Sequence, residues 1–161
     1  MTHFITLLFT RRVVQSFGIT RAGSRIQSHM NSVLQKMDLQ TTSQDGLLFY
    51  WKKDQLPETY AGFRVCGEEE NRRDIRDIPV QEVANAMYTV LLEQISMGQE
   101  DLLRETAGKL GYTRLGTNVL SALELSIQYA LAQGTVTSGT GGTLILTPLG
   151  NARAEATAES F

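Results

Sequence analysis

Residues 18–26 read GITRAGSRI and residues 111–119 read GYTRLGTNV, so the chain carries nearly the same phrase twice, 93 positions apart. When Phe17 is aligned with Leu110, four of the first ten positions are identical. These are Gly18/Gly111, Thr20/Thr113, Arg21/Arg114 and Gly23/Gly116. Sequence similarity at a fixed long spacing indicates repeated structural units. The chain is therefore predicted to contain two related units.

The residues after each copy follow the same order of patterns. An apolar stripe at helical spacing comes first, and short β-prone runs around a glycine-containing turn come next. The stripes are Ile26, Met30, Val33/Leu34 and Met37 in the first copy, and Val119, Leu123, Ile127 and Ala130/Leu131 in the second. The turns are Asp45-Gly46 and the tip GTGGT at 139–143. Each copy is thus predicted to be a turn, a helix and a hairpin.

Two further helices are predicted before the second copy. Residues 79–97 begin with Pro79 at a favourable first position and carry one apolar face, and residues 99–110 bury Leu102, Leu103 and Leu110. The apolar face of the first of these helices consists of Val83, Met87, Val90/Leu91 and Ile95. The resulting order of helix, helix, turn, helix and hairpin is typical of a winged helix-turn-helix. Thr147 as N-cap and Pro148 at the first position predict a last helix.

The predicted fold is mainly α with small β-hairpins, an α+β arrangement of tandem winged helix-turn-helix units. The expected boundaries are a first unit at 1–55, a linker at 56–78, a complete second unit at 79–149 and a partly helical tail at 150–161. Residues 5–16 correspond to the short second helix, so the first unit is expected to lack its first helix and the chain to be a fragment of a larger domain. Alternatively, the apolar residues Phe4, Leu7, Leu8 and Phe9 pack on the second unit or on another chain.

Composition narrows the class of protein. With 42% hydrophobic and 20% charged residues among 161, the chain has enough apolar residues for a packed core. A single cysteine, Cys66, precludes an intrachain disulfide and suits a reducing cytoplasm, and no apolar run reaches the length of a membrane span. Residues 1–66 carry eight Lys/Arg and four Asp/Glu, whereas residues 67–161 carry seven and thirteen. Only the first part has the positive charge that phosphate binding requires.

The repeated phrase has a structural interpretation and a functional one. Structurally, Gly18/Gly111 suit a left-handed helix end, and Thr20/Thr113 can satisfy amides of the turn. Gly23/Gly116 would allow two helices to approach closely, and Ser24/Thr117 would cap or open the next helix.

The functional interpretation adds a nucleic-acid surface, because the first residues of the second helix of such a pair face the major groove. The candidate residues in the first unit are Arg21, Ser24, Arg25 and Ser28, with Lys52 and Lys53 after its hairpin. Their counterparts in the second unit are Arg114, Thr117 and Asn118, followed by Ser121 and Glu124. Glu124 and the other acidic residues of the second unit would repel the phosphates of DNA. The first unit is therefore expected to bind nucleic acid, and the second is expected to serve packing or protein contact.

No pattern in the chain predicts catalysis, a metal or a cofactor. GTGGT lacks the Lys-Ser/Thr of a phosphate-binding loop, and Cys66 has no partner motif for nucleophilic chemistry. The run EEENRRD at 68–74 is interpreted as a solvated linker, and neither His3 nor His29 has metal-ligand spacing. The aromatic run Phe49-Tyr50-Trp51 is interpreted as strand core.

Residues 63–124 resemble a domain at the C-terminus of large bacterial superfamily 1 helicase-like ATPases, which also carry a restriction-endonuclease-like module. The similar pieces are RRDIRDIP, the helix around Glu93–Ser96, EDLLRE and the glycine-threonine-arginine joint, and the resemblance extends over most of residues 10–147. It implies an accessory, non-catalytic role beside DNA-processing machinery and supplies no catalytic residues. Because the ATPase and nuclease parts are absent from the chain, neither ATP hydrolysis nor DNA cleavage is expected.

Three functional hypotheses follow from these features. The first is a module that binds or positions nucleic acid for a helicase or nuclease, with double-stranded DNA and the helicase/nuclease domains of a larger protein as partners. The second is a protein-interaction or homodimerisation module without DNA binding, and the third, less favoured, is a transcription regulator. No membrane partner is expected.

Overall fold

The structure is a computed structural model, and it describes residues 3–65 and 73–159, with only the backbone of residues 3–8 and side chains from Phe9 onward except Arg12. The chain divides into two compact units, Met1–Tyr60 and Ala61–Phe161. Over the described residues it is a mixed α and β protein, with six α-helices and two three-stranded antiparallel sheets. We refer to the two parts as unit one and unit two.

Unit one consists of a small sheet and two helices. In chain order these are β1 (His3–Ile5), α1 (Thr6–Ser16), α2 (Ser24–Lys36), β2 (Gln40–Gln44) and β3 (Leu47–Trp51). The central strand is β3, which pairs antiparallel with β1 on one side and β2 on the other. The predicted hairpin turn is confirmed, since Asp45 (φ 49°) and Gly46 (φ 75°) both have the positive φ that a two-residue hairpin turn requires.

The core of unit one is built on the aromatic end of β3. Phe49 and Trp51 are completely buried, and Leu34 of α2 is 1% exposed. The Trp51 indole donates a hydrogen bond to Thr42 Oγ1 at 2.9 Å, and its ring meets Tyr60 edge-on with centroids 5.3 Å apart. These rings are therefore core residues, as their sequence predicted.

Unit two has more helix around a second small sheet. Its elements are α3 (Val80–Gln94), β4 (Ser96–Met97), α4 (Gln99–Lys109), α5 (Thr117–Ala132), β5 (Val136–Ser138), β6 (Leu144–Leu146) and α6 (Pro148–Ala158). Strand β6 is central, between β4 and β5. Thr147 caps α6 by accepting the Gly150 N–H, which confirms the predicted cap.

Helix α3 is the centre of unit two. Every residue from 82 to 91 is buried, because α3 packs against α4, α5, α6 and β6. Leu102, Leu103 and Leu110 are buried as predicted. Ile95 was predicted to continue the apolar face of α3, and this is wrong. It follows the helix with φ 68° and ψ −53° and is 81% exposed.

The tail is helical as predicted, since α6 extends over Pro148–Ala158, but the segments expected as linker and tail both contribute residues to the core of unit two. Phe63, Ile75 and Ile78 belong to the core of unit two, and Ala154 of α6 is completely buried in the same core. The sequence was misleading because these apolar residues are irregularly spaced around the charged run at 68–74. Of that run only Arg73 and Asp74 are described; Cys66 also lies outside the described residues.

The repeat in the sequence recurs in the structure at the same spacing. Strands β1 and β4 begin at His3 and Ser96, helices α1 and α4 extend over Thr6–Ser16 and Gln99–Lys109, and α2 and α5 begin at Ser24 and Thr117. Each pair of positions differs by the 93 residues that separate the two phrases. The later helices differ in length, since α5 has 16 residues and α2 has 13.

Candidate nucleic-acid interface

The repeated phrase forms the same joint between two helices in both units. Gly18 (φ 74°) and Gly111 (φ 88°) have left-handed backbones. The following N–H groups reach back to the preceding helix, from Ile19 to the Val14 carbonyl and from Tyr112 to the Ala107 carbonyl, both at 2.9 Å. This six-to-one hydrogen bond after a left-handed glycine defines a Schellman helix end. The prediction of a left-handed end is confirmed.

The second pair of glycines has a different role from the one predicted. Gly23 and Gly116 are the N-caps of α2 and α5, with extended backbones at φ −70° and −71°. A Cβ added at either glycine would meet no atom within 4 Å. The predicted close approach of helices at these glycines is therefore wrong. They instead leave the helix start uncovered by any side chain.

Ser24 and Thr117 are the first residues of their helices rather than caps. No side chain caps α2 or α5, and the first intrahelical bond of α2 runs from Gln27 N–H to the Gly23 carbonyl at 3.1 Å. Within the described residues, the exposed hydroxyls of Thr20 and Thr113 make no hydrogen bond, so they do not satisfy turn amides. The N–H groups at the start of α2 consequently face outward, as at helix ends that bind anions.

The candidate residues of unit one lie together at this uncapped helix start. Arg21 lies in the joint, Ser24 and Arg25 are in the first turn of α2, and Ser28 is one turn further; all four are exposed. Neither α1 nor α2 contains an acidic residue. The start of α2 is therefore positively charged, and neither helix carries an acidic residue that would neutralise this charge.

Lys52 and Lys53 are separated from the hairpin tip by the full length of β3. Strand β3 begins after the Asp45-Gly46 turn and ends at Trp51, so the lysines follow at the opposite end of a five-residue strand, about 16 Å away. Lys53 also pairs with Asp38 at 3.2 Å, with both side chains largely exposed. The tip of this hairpin carries Asp45 instead of a basic residue.

In unit two the candidate residues line a shallow, open groove. Arg114, Thr117 and Asn118 lie along it, and its volume is about 720 Å³. The remaining lining residues are Arg73, Asp74, Ile75, Tyr112, Gly116 and Val119. The two charged lining residues from the segment before α3 form ion pairs, Arg73 with Glu82 and Asp74 with Arg76. The groove therefore has mixed charge, unlike the start of α2.

Sequence reasoning missed a buried ion cluster in unit two. Glu82 of α3 is completely buried and accepts hydrogen bonds from two arginines. Arg64 donates through its backbone N–H at 2.8 Å and through its guanidinium at 3.1–3.3 Å, and Arg73 donates at 2.7 and 3.2 Å. A glutamate inside an otherwise apolar helix was the available signal, because a buried carboxylate requires partners.

The ion cluster holds separate segments of unit two together. Arg73 also donates to the Arg64 carbonyl at 2.7 Å, and Tyr112 donates its phenolic hydrogen to the Arg73 carbonyl at 2.9 Å. Asn85 donates to the Gly62 carbonyl at 3.0 Å. Because Tyr112 belongs to the joint, the cluster fixes the joint of unit two to the segment before α3.

The pKa values of two side chains in unit two, Asp74 and Tyr88, differ from their ordinary values. The side-chain hydrogen bond from Arg76 holds the pKa of the Asp74 carboxyl below its usual value, assisted by the Arg76 backbone N–H and opposed by partial burial. Burial raises the pKa of the Tyr88 phenol. Thr135 donates its own hydroxyl hydrogen to the Ala130 carbonyl, so Tyr88 is the donor in the 2.8 Å hydrogen bond between Tyr88 and Thr135. Both shifts arise from structural contacts within unit two.

The part of the chain that the structure describes contains no group of three or more His, Cys, Asp or Glu side chains arranged to hold a metal ion. None of the described helices is both long enough and apolar enough to cross a membrane. Comparison with known proteins gave no match to a family model, to a curated protein or to a solved structure.

Proposed function

We propose that both units are winged helix-turn-helix units and that the chain is a non-catalytic accessory module that binds double-stranded DNA. The connectivity supports this assignment. In unit two, the strand between the first two helices pairs with the second hairpin strand, β4 with β6, and a helical pair precedes the hairpin. In unit one β1 pairs with β3 in the same way, before α1, α2 and the hairpin.

The observation that carries DNA binding is the uncapped, basic start of α2. In a helix-turn-helix, the N-terminal residues of the second helix contact base edges and phosphates. Arg21 and Arg25 are exposed there, beside outward-facing N–H groups and without an acid on α1 or α2. Arginine and backbone amides are both preferred phosphate ligands.

Unit two is proposed to contribute less to DNA binding. Arg114 occupies the place of Arg21, but Asn118 replaces Arg25 and Glu124 replaces Asn31. Residues 61–161 carry eight Lys/Arg and thirteen Asp/Glu, a net charge of −5, against +3 for residues 1–60. The resemblance of residues 63–124 to a domain of helicase-like ATPases suggests the setting, in which the module positions DNA for helicase or nuclease domains.

A titration of the whole chain with a fluorescent duplex at about 50 and 200 mM salt tests DNA binding. We expect binding that weakens at the higher salt concentration. The variant Arg21→Ala/Arg25→Ala should bind about tenfold or more weakly, with a smaller salt slope, because phosphate or base contacts are lost.

The matched control is Arg104→Ala, which removes an exposed arginine of α4 that is paired with Asp101. This control should bind DNA as tightly as the unaltered chain. Absence of binding at low salt, or equal binding by the double variant, would reject the proposal. Arg114→Ala measures the contribution of unit two.

A protein-interaction role is the second candidate, and the mixed-charge groove of unit two favours it. Paired charges and the apolar residues Ile75, Tyr112 and Val119 line this groove, which suits a protein surface better than a phosphate backbone. Light scattering combined with the DNA titration separates the two functions. A concentration-independent monomer that binds DNA would reject homodimerisation as the primary role.

A further inference from the structure

Unit one exposes apolar side chains beside the joint, in the turn between α1 and α2, on α2 and directly after α2. Phe17 is 77% exposed, Ile19 42%, Val33 39% and Met37 49%. Met30, on the same stripe of α2, is half-buried. We call these five residues the α1–α2 face. Four of their counterparts 93 residues later belong to one core cluster of unit two, which places the five residues on one side of unit one. An exposed apolar surface on a small unit marks an interaction site.

The equivalent positions in unit two, 93 residues later, are buried. Leu110 in place of Phe17 and Ala130 in place of Met37 are completely buried, and Tyr112 in place of Ile19 is 7% exposed. Ser126 and Leu123, in place of Val33 and Met30, are each 1% exposed. The same repeat positions are thus covered in one unit and open in the other.

The difference does not extend to every position of the two helices. The inward residues of α1 and α2 are as buried as their counterparts: Val14 and Ala107 are 4% and 2% exposed, and Leu34 and Ile127 are 1% and 2% exposed. These positions of the two helices are therefore buried to the same extent in both units. The α1–α2 face is the part of unit one whose counterpart in unit two is covered, within the residues that the structure describes.

In unit two the cover is a helix. Helix α3 packs against both α4 and α5, and its Met87 sulfur lies 4.0 Å from the Ser126 hydroxyl. At its C-terminal end, Glu93 pairs with Lys109 of α4 at 2.5 Å. The covering helix is apolar toward α4 and α5, and an acidic side chain at its edge meets a basic one.

We propose that the α1–α2 face binds an amphipathic helix of a partner protein, with acidic residues flanking its apolar side. The apolar side follows from the face itself, because an apolar surface with adaptable methionines accommodates the apolar side of an amphipathic helix. The acidic flanks follow from charge complementarity. Helices α1 and α2 contain no acid, and Arg11, Arg25 and Lys36 are exposed on them.

A second copy of the chain is a poorer occupant of this face. Its α3 is buried within its own unit two and is fixed there by the Glu82 ion cluster. Pairing of two α1–α2 faces would bring the same Lys and Arg residues together, which is unfavourable. An acidic helix from another protein meets neither obstacle.

A fluorescent peptide with the sequence of residues 79–95, which contains Glu82 and Glu93 and no basic residue, serves as the probe. Anisotropy of this peptide with the full chain should show saturable binding. Phe17→Ser/Met37→Ser should weaken binding about tenfold or more, because each substitution removes an apolar side chain from the interface. A peptide with lysine in place of both glutamates should bind more weakly, and the difference should shrink at high salt.

The control variant is Leu56→Ser/Leu149→Ser, which alters two leucines that are 50% and 55% exposed and lie outside the face. It should bind the acidic peptide as the unaltered chain does. Because the substituted residues are exposed, Trp51 fluorescence and circular dichroism should be unchanged in every variant, which separates lost binding from unfolding.

Three results would overturn the proposal. The first is no binding of the acidic peptide, and the second is equal binding by Phe17→Ser/Met37→Ser. The third is a dimer in light scattering that this double variant converts to a monomer, which would assign the face to a second copy. Tighter binding of the lysine peptide would overturn the acidic character of the partner.

Discussion

At the residue scale, Gly150 is the position where a single methyl group should matter most. A Cβ at Gly150 would lie 2.0 Å from the Thr135 carbonyl oxygen. That oxygen already accepts the Thr147 N–H at 3.0 Å, so it cannot retreat without losing a hydrogen bond. We expect Gly150→Ala to reduce the free energy of unfolding of unit two by about 1–3 kcal/mol, as overpacking does, measured by thermal or urea denaturation.

Gly108→Ala is the matched control for this prediction. Gly108 lies inside α4, and a Cβ there would meet no atom within 4 Å. Alanine should stabilise the helix by about 0.5–1 kcal/mol. If both substitutions changed stability in the same direction, steric contact at Gly150 would not be the cause.

Ile95 stores backbone strain that glycine should relieve. A β-branched residue at φ 68° and ψ −53° is unfavourable, and this side chain is 81% exposed and contributes little packing. Ile95→Gly should raise the free energy of unfolding by about 1 kcal/mol, measured by urea denaturation. Ile95→Ala keeps a Cβ, so it should raise the free energy of unfolding by less than Ile95→Gly does. If both variants raised it equally, the cause would be the loss of exposed apolar surface and not the relief of backbone strain.

Asp74 should make unit two sensitive to acid. Its pKa is lowered in the folded chain, chiefly by the hydrogen bond from the Arg76 side chain, so its contribution is present above the usual value of 3.8 and is lost as pH falls through the lower folded value. Asp74→Asn should therefore lower the melting temperature at about pH 7, and the difference from the unaltered chain should shrink below about pH 4. A difference that is constant over this range would contradict the prediction.

At the element scale, the arginines around Glu82 hold the segment before α3 in place. Glu82→Gln leaves two arginines without their buried counter-charge and should destabilise unit two by about 3–5 kcal/mol in urea denaturation. Asp101→Asn is the control, because Asp101 and Arg104 form an exposed pair with 67% and 63% of their side chains accessible. Asp101→Asn should reduce the free energy of unfolding by less than about 1 kcal/mol. Similar losses in both variants would show that the buried cluster has no special role.

The elements differ in how well the sequence predicts them. Helices α4 and α5 and the hairpin at Asp45-Gly46 follow from apolar periodicity and turn residues, which are local signals. Strands β1 and β4 have three and two residues, too few for any alternation to be recognised, and only their pairing with β3 and β6 forms them. The joint was predicted because its glycines are repeated.

Contacts between distant residues could not be predicted in the same way. Arg64 and Glu82 are 18 positions apart and lie on different segments, so no periodicity links them. Ile75 and Ile78 enter the core from an irregular segment that composition alone describes as linker. The candidate DNA-binding residues could be placed at the start of α2 from the repeat, but the separation of Lys52 from the hairpin tip depends on strand direction.

At the scale of the whole molecule, the two units should unfold separately. The only tryptophan, Trp51, is completely buried in unit one, whereas most helical residues belong to unit two. Tryptophan fluorescence and far-ultraviolet circular dichroism should therefore give different urea transitions. Gly150→Ala and Glu82→Gln should move only the circular dichroism transition, and coincident transitions that move together would contradict independent units.

The placement of α6 has a consequence for anyone who shortens the chain. The Thr147 hydroxyl lies 2.8 Å from the Gly134 carbonyl and receives the Gly150 N–H, and the Thr147 N–H binds the Thr135 carbonyl. Thr147, at the start of α6, therefore joins the two ends of the β5–β6 hairpin through its hydrogen bonds to Gly134 and Thr135. A truncation at Leu146 would also uncover α3, on which α6 packs, so a well-behaved recombinant domain must extend to about residue 158.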